Sequence, residues 1–211
     1  MDTMKVRRAG DAALLVETDD QAMAHRLQAA VRAARIPGVV DVVPGAGTVL
    51  VVTEPGHCDL DRLAGALPAL PLPESSASEV APVTITVDYD GEDLEEAASL
   101  TGLSRDELIA RHAAGSYTVA YLGFAPGFAY LTGLDPVLHL PRLETPRTVV
   151  PAGSVAIAGP YAAVYPAASP GGWRLLGRTD VTLWDTHREP PSALQPGTRV
   201  RFSPRPAPPP P

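Results

Sequence analysis

The sequence predicts a small α+β domain followed by a mainly β barrel domain, and three observations support this. All eleven aromatic residues lie between Tyr89 and Phe202, so the first eighty-odd residues contain none. A stretch rich in Pro, Ser and Ala, Pro71 to Pro82 (PLPESSASEVAP), separates the two parts. Before it strand and helix patterns alternate, and after it one helical stretch leads into many short β-like runs between Gly/Pro turns. At 211 residues the chain can bury two modest cores. The expected division is an α+β domain over 1–73, a linker over 74–82, a barrel over 83–203 and a disordered Pro-rich tail over 204–211.

Each element follows from local pattern. Ala12 to Glu17 (AALLVE) reads as a strand. Asp19 or Asp20 is placed to cap a helix in which Met23, Leu27, Ala30, Val31 and Ala34 recur at helical spacing, until Pro37-Gly38 stops it. Val39 to Val43 and Thr48 to Thr53 are strands joined by the turn Pro44-Gly45-Ala46-Gly47, and Asp59 to Leu67 is a second helix. The second part opens on the alternating strand Val83 to Val87, followed by a helical stretch from about Glu92 to Ala114. Ser104, with Glu107 three residues on, fits a capping box that starts a second helix there. Short β-like runs follow at Tyr117 to Leu122, Ser154 to Ala158, Ala163 to Tyr165, Trp173 to Leu176, Val181 to Trp184 and Arg199 to Phe202. So many short strands with one helical insertion suggest a closed or nearly closed barrel.

Composition excludes several functions. A net charge of −7 and a pI near 5.2 argue against non-specific binding to nucleic acid or an anionic membrane, both of which need basic surface. No apolar run reaches the length of a membrane span, and the first residues lack the pattern of a secretion signal, so a cytoplasmic location is expected. The single cysteine, Cys58, excludes an internal disulfide framework. Sixteen arginines stand against one lysine, Lys5, so anionic groups must be met by arginine.

The familiar chemical signatures are missing: no GxxxxGK[ST], no GxGxxG after a strand, no HExxH, no paired CxxC and no GxSxG. Gly45 and Gly47 read as an ordinary hairpin turn. The five histidines are scattered without metal-ligand spacing, and His112 closes a helix just before the aromatic cluster, where the helix dipole favours its protonated form. Three segments stand out. GFAPGFAYL (Gly123 to Leu131) alternates Gly, Phe and Pro too closely for a helix or regular strand. PRLETPRTVVPAGSVAIAG (Pro141 to Gly159) carries Arg142 and Arg147, each directly after a proline that restricts the backbone beside it. YPAASPGGWRLLGRT (Tyr165 to Thr179) ends in Arg178-Thr179. Barrel corners seldom need this density of Gly, Pro, aromatic and Arg together, and a pocket with aromatic walls and arginine donors is the default reading.

These three blocks, with AGDAALLVE (Ala9 to Glu17) and VVPGAGTVLV (Val42 to Val51) upstream, resemble a family known under three descriptions: the B subunit of prokaryotic 5-oxoprolinase, allophanate hydrolase subunit 1 and the kinase inhibitor KipI. The similarity runs up to about Pro204. It implies a cyclophilin-like barrel in the second domain, and a relation to one half of the carboxyltransferase portion of urea carboxylases. It further implies two partners, the carboxyltransferase-like companion known as the C subunit of 5-oxoprolinase and its barrel-type A subunit. The resulting complex would open the lactam of 5-oxo-L-proline to L-glutamate, with ATP and Mg used at the level of the complex. A lactam is a poor electrophile, and phosphorylating its carbonyl oxygen before water attacks would need cations around the developing charge. The expected catalytic residues are Arg142, Arg147 and Arg178, and the expected substrate-binding residues are Phe124, Pro126, Phe128, Ser154, Tyr165, Ser169, Trp173 and Thr179, with no metal ligands. One departure is evident: Tyr161-Ala162-Ala163 stands where the family usually has Gln-Thr-Gly. Competing readings are a KipI-like regulator that binds a sensor histidine kinase, a subunit of an allophanate- or urea-type amidohydrolase or carboxyltransferase, and, from barrel shape alone, a prolyl isomerase.

Overall fold

The computed structural model describes residues 4–74 and 82–206. Residues 75–81 of the expected linker and 207–211 of the expected tail lie outside them. The chain divides into two compact units, one on each side of that linker.

The first unit is a four-stranded antiparallel sheet in the order β1-β2-β4-β3, made of β1 (Lys5–Arg8), β2 (Ala13–Glu17), β3 (Val39–Pro44) and β4 (Thr48–Thr53). Leu14 and Val16 of β2 and Val49 and Val51 of β4 alternate onto one buried face. Helices α1 (Gln21–Ala34) and α2 (Leu60–Ala66) cover it with Leu27, Val31, Leu60 and Leu63. Asp20 caps α1 by accepting from the Met23 N–H at 2.7 Å. The helix ends at Arg35 in the left-handed conformation, two residues before the expected Pro-Gly stop, and Ala34 is exposed rather than part of the buried face. Strand β1 was not expected, because a charged four-residue edge strand (KVRR) has too little apolar alternation to be read. The Gly45–Gly47 segment is a hairpin turn, with the Gly45 N–H donating to the Thr48 carbonyl at 2.7 Å.

The second unit is built on seven strands: β5 (Val83–Val87), β6 (Tyr117–Leu122), β7 (Ala129–Thr132), β9 (Ser154–Ala158), β10 (Tyr161–Val164), β12 (Arg174–Arg178) and β13 (Arg199–Pro204). A separate two-stranded ribbon pairs β8 (Arg147–Val150) with β11 (Ser169–Gly171). The seven strands run in the order β12-β9-β10-β7-β6-β13-β5, antiparallel throughout except for β13 beside β5. The two ends of that order meet. Asp88, just after β5, and Arg178 of β12 exchange both backbone hydrogen bonds at 2.8 Å, and the N–H groups of Gly91 and Asp93 donate to the carbonyls of Leu176 and Leu175. The sheet is thereby a nearly closed barrel. At this seam a Cβ on Gly177 would collide with the Asp88 carbonyl oxygen, and one on Gly91 with the backbone of Leu175 and Leu176.

Two helices lie over the barrel, α3 (Leu94–Thr101) against β12 and α4 (Arg105–Ala114) against β13. Ser104 and Glu107 form the expected capping box. Three strands of this unit were not expected, and one expected strand does not form. The end of the GFAYL segment is β7, paired to β6 and β10, and the Gly/Pro-rich segments contribute β8 and β11. Val181 to Trp184 forms no strand, only one isolated bridge from Trp184 to Ser192. Pro204, expected in the tail, is the last residue of β13, opposite Val87, and the Arg205 guanidinium bonds Asp88 and Asp180.

Strand alternation in β9 and β10 creates two separate apolar layers. Val155 and Ile157, with Ala162 and Val164, point into the barrel core. Ala156, Ala158 and Ala163, with Tyr165 just past β10, point to the outer face. The small alanines there leave room for Phe128, Tyr165 and Trp173, which pack on them as a second, outer core.

Candidate functional site

The outer layer holds a cavity of about 90 Å³ lined by Phe124, Phe128, Tyr130, Arg142, Tyr165, Gly171, Gly172 and Trp173. Each wall comes from one of the three segments singled out in the sequence. Phe128 is the hub: its ring stands edge-on to Phe124 (5.1 Å), Tyr130 (5.2 Å), Tyr165 (5.2 Å) and Trp173 (5.5 Å) between centroids. Its loop is a tight turn, with Phe128 N–H donating to the Ala125 carbonyl and Gly123 N–H to the Phe128 carbonyl. Phe124 is forced to φ 67°, the left-handed region, and leaves its ring 62% exposed at the mouth.

At the cavity floor the Tyr165 hydroxyl approaches Gly171 so closely that any Cβ there would strike it. Burial raises the Tyr165 phenol above its usual range, opposed by a hydrogen bond from the Trp173 backbone N–H and by the charges of Arg142 and Arg147. The phenol therefore keeps its proton at neutral pH. The Arg142 guanidinium lies 5.9 Å from the centre of the Trp173 ring, a cation–π arrangement. Its backbone is pinned on both sides: the Pro141 carbonyl accepts from Arg174 Nε at 3.1 Å, and the Leu143 N–H donates to the Gly172 carbonyl at 2.8 Å. Arg174 is itself buried and ion-paired to Glu96 at 2.9 Å.

Of the expected site residues, Phe124, Phe128, Arg142, Tyr165 and Trp173 come together in this cavity. The others do not line it. Arg147 donates to Asp93 at 2.6 Å and to Glu92 at 3.3 Å, tying the ribbon to the start of α3. Arg178 is exposed and paired to Asp90 at 2.9 Å, on the barrel seam. Ser154 donates to the Pro151 carbonyl, and Thr179 accepts from the Val181 N–H, so both hydroxyls stabilise local turns. The Ser169 hydroxyl is buried without a partner in β11, and Pro126 is exposed on its loop. The sequence reading missed Tyr130, Gly171 and Gly172 as wall residues and Arg174 as the anchor of the Arg142 segment. The proline before Arg142 and the double glycine were the available signals. Tyr161, the departure from the family pattern, packs edge-on beside the cavity against Tyr130 (5.6 Å) and Tyr121 (5.9 Å).

His112 belongs to the core rather than to any site. Its Nδ1 lies 2.7 Å from the Tyr89 hydroxyl, its ring packs on Phe202 and Tyr117, and its Nε2 is buried without a partner. Burial lowers its pKa to about 3, so the dipole argument for a protonated ring loses to desolvation. Because the unfolded ring binds a proton below about 6.5 and the folded one does not, stability is full above that pH and falls as pH drops towards 3. The expected loss from this ring is roughly 1.4 kcal/mol per pH unit inside that window. Urea unfolding at pH 7.5 and 5.0 checks this: in His112→Asn the difference between the two pH values should shrink, and an undiminished difference would assign the effect elsewhere.

Among the described residues no group of three or more His, Cys, Asp or Glu is placed to hold a metal ion, and no helix is long and apolar enough to cross a membrane.

Comparison with known proteins adds relatives. The family model of the carboxyltransferase domain, subdomain C and D, matches residues 4–194. A protein of Escherichia coli O157:H7 named as the B subunit of 5-oxoprolinase is 40% identical over 174 residues, covering 81% of this chain and 80% of that protein. A Bacillus subtilis protein of the same name is 46% identical over 123 residues, 57% of this chain and 51% of that one. The crystal structure of TTHA0988 superposes with a TM-score of 0.82 at 39% identity, covering 98% of this chain and 41% of that chain. The chain thus spans four-fifths of one curated relative, about half of the other and two-fifths of the solved structure.

Proposed function

The chain belongs to the family of the carboxyltransferase domain, subdomain C and D, and we propose that it is the B-type subunit of an ATP-dependent 5-oxoprolinase, which opens 5-oxo-L-proline to L-glutamate. The observation that carries this is its 40% identity over four-fifths of a relative bearing that name. The subunit naming of the relatives supports an assembly in which this chain works with companion subunits. The partners this reading requires are the carboxyltransferase-like C-type subunit of 5-oxoprolinase and the barrel-type one designated A.

The chain's own part in the reaction is binding rather than bond-making. Its cavity offers one unpaired cation and about 90 Å³, which does not fit a nucleoside triphosphate. ATP and Mg enter this proposal at the level of the complex. Arg147 and Arg178 are paired with Asp93 and Asp90 and lie outside this cavity.

The test is co-expression with the companion subunits and measurement of ATP-dependent glutamate release from 5-oxo-L-proline. Leaving this chain out is expected to reduce release to background. Undiminished release without it, or stable co-purification with a histidine kinase domain instead of the companions, would overturn the proposal.

A further inference from the structure

Arg142 is set apart by the charge accounting of the three segments. Arg147, Arg174 and Arg178 each pair with a carboxylate. Arg142 makes no hydrogen bond or ion pair with any other described residue, and its guanidinium rests on the face of Trp173. Arg142 is exposed, its backbone is held at both neighbours and its guanidinium lies over the indole, so its charge stays open to an incoming anion. Beside it Tyr165 receives the Trp173 N–H on its oxygen, which leaves the phenol proton free to donate.

The remaining walls are flat and apolar. Trp173, Phe128 and Tyr130 present ring faces and edges, and Gly171-Gly172 supplies a floor without side chains. At about 10–15 Å³ for each water-sized group, the cavity has room for roughly six to nine of them, the size of one small ring with a substituent. Over the mouth stands Phe124, exposed and held at positive φ, a conformation that a Phe does not choose without constraint.

We propose that this cavity binds a small carboxylic acid carried on a ring, with its carboxylate on Arg142 and the Tyr165 hydroxyl, its ring against the aromatic wall, and Phe124 over the mouth. The identification of that acid as 5-oxo-L-proline rests on the function proposed above; the chemistry of the cavity does not. Arg142 is then a binding group that holds the substrate by its carboxylate, on the carbon beside the lactam nitrogen, and not by the reacting carbonyl. Uniform binding of this kind is expressed in KM rather than in kcat.

The test uses the full chain with Trp184→Phe, so that emission reports Trp173. Addition of 5-oxo-L-proline should change the emission saturably, whereas 2-pyrrolidinone, the same ring without the carboxylate, should not. Arg142→Ala is expected to weaken binding at least tenfold and, in the reconstituted complex, to raise KM by a similar factor with kcat within about threefold. Arg142→Lys should restore only part of the affinity, because a point charge replaces a planar fork. Phe124→Gly should raise the melting temperature by relieving the backbone while weakening binding. The proposal is overturned if neither the free chain nor the complex binds the acid, if the two probes bind alike, or if Arg142→Ala binds as the parent does. Glutamate release that needs this chain but is indifferent to Arg142 would remove the cavity assignment and leave the proposed function standing. Binding without any release would do the reverse.

Discussion

Asp93→Ala is expected to destabilise the barrel unit by about 3 kcal/mol, the low end of the cost of breaking a buried ion pair. The carboxylate is almost fully buried and accepts from Arg147 Nη2 at 2.6 Å and from the Leu175 N–H at 2.7 Å. Removing it leaves a mostly buried guanidinium and a buried backbone donor unsatisfied, although Glu92 at 3.3 Å keeps part of the compensation for Arg147. Asp93 stands at the start of α3, yet its side chain makes no capping hydrogen bond; it joins that helix to β12 and to the ribbon that carries Gly171. Urea unfolding followed by tryptophan fluorescence measures the effect, since Trp173 and Trp184 both lie in this unit. Asp93→Asn, which keeps an acceptor but loses the charge, should fall between. A loss below about 1 kcal/mol for alanine would mean that the pair is dispensable.

Gly177→Ala should cost a comparable amount, about 3 kcal/mol or more, for a different reason. The added carbon meets the Asp88 carbonyl oxygen and the Tyr89 Cα, both backbone atoms, so no side-chain rotation can relieve the overlap. Either the Asp88–Arg178 exchange opens or β12 shifts. Gly102→Ala is the control: its φ is positive, at 69°, but a Cβ there meets nothing within 4 Å, so only backbone strain of about 1 kcal/mol applies. Equal melting temperatures for the two variants would argue against a tight seam.

The N-terminal unit was largely legible because its strands are buried on one face and alternate cleanly, as Leu14 and Val16 or Val49 and Val51 do. The barrel was legible as a class but not strand by strand. In β9 every residue is buried, Val155 and Ile157 on one side and Ala156 and Ala158 on the other, so alternation no longer distinguishes inside from outside. Strands β8 and β11 are short, contain or adjoin prolines, and owe their pairing to each other rather than to propensity.

The aromatic and arginine segments marked the cavity correctly as a region. They did not separate Arg142 from Arg147 and Arg178, because pairing partners such as Asp93 and Asp90 lie far away in sequence and look like ordinary surface acids there. For the same reason Arg174 passed unnoticed: its role depends on Glu96 and on the Pro141 carbonyl, neither of which is near it in the chain.

The position of β13 between β6 and β5 bears on how the barrel is made during synthesis. The first and last strands of the unit are neighbours, and the last is inserted between two that were translated much earlier. As the chain leaves the ribosome, β5 and β6 must wait with unpaired edges until residues 199–204 emerge, and no partial ring can close before then. The polypeptide therefore passes through a period of exposed strand edges that ends only when residues 199–204 have been made, and chaperone occupancy of nascent chains should peak in that interval.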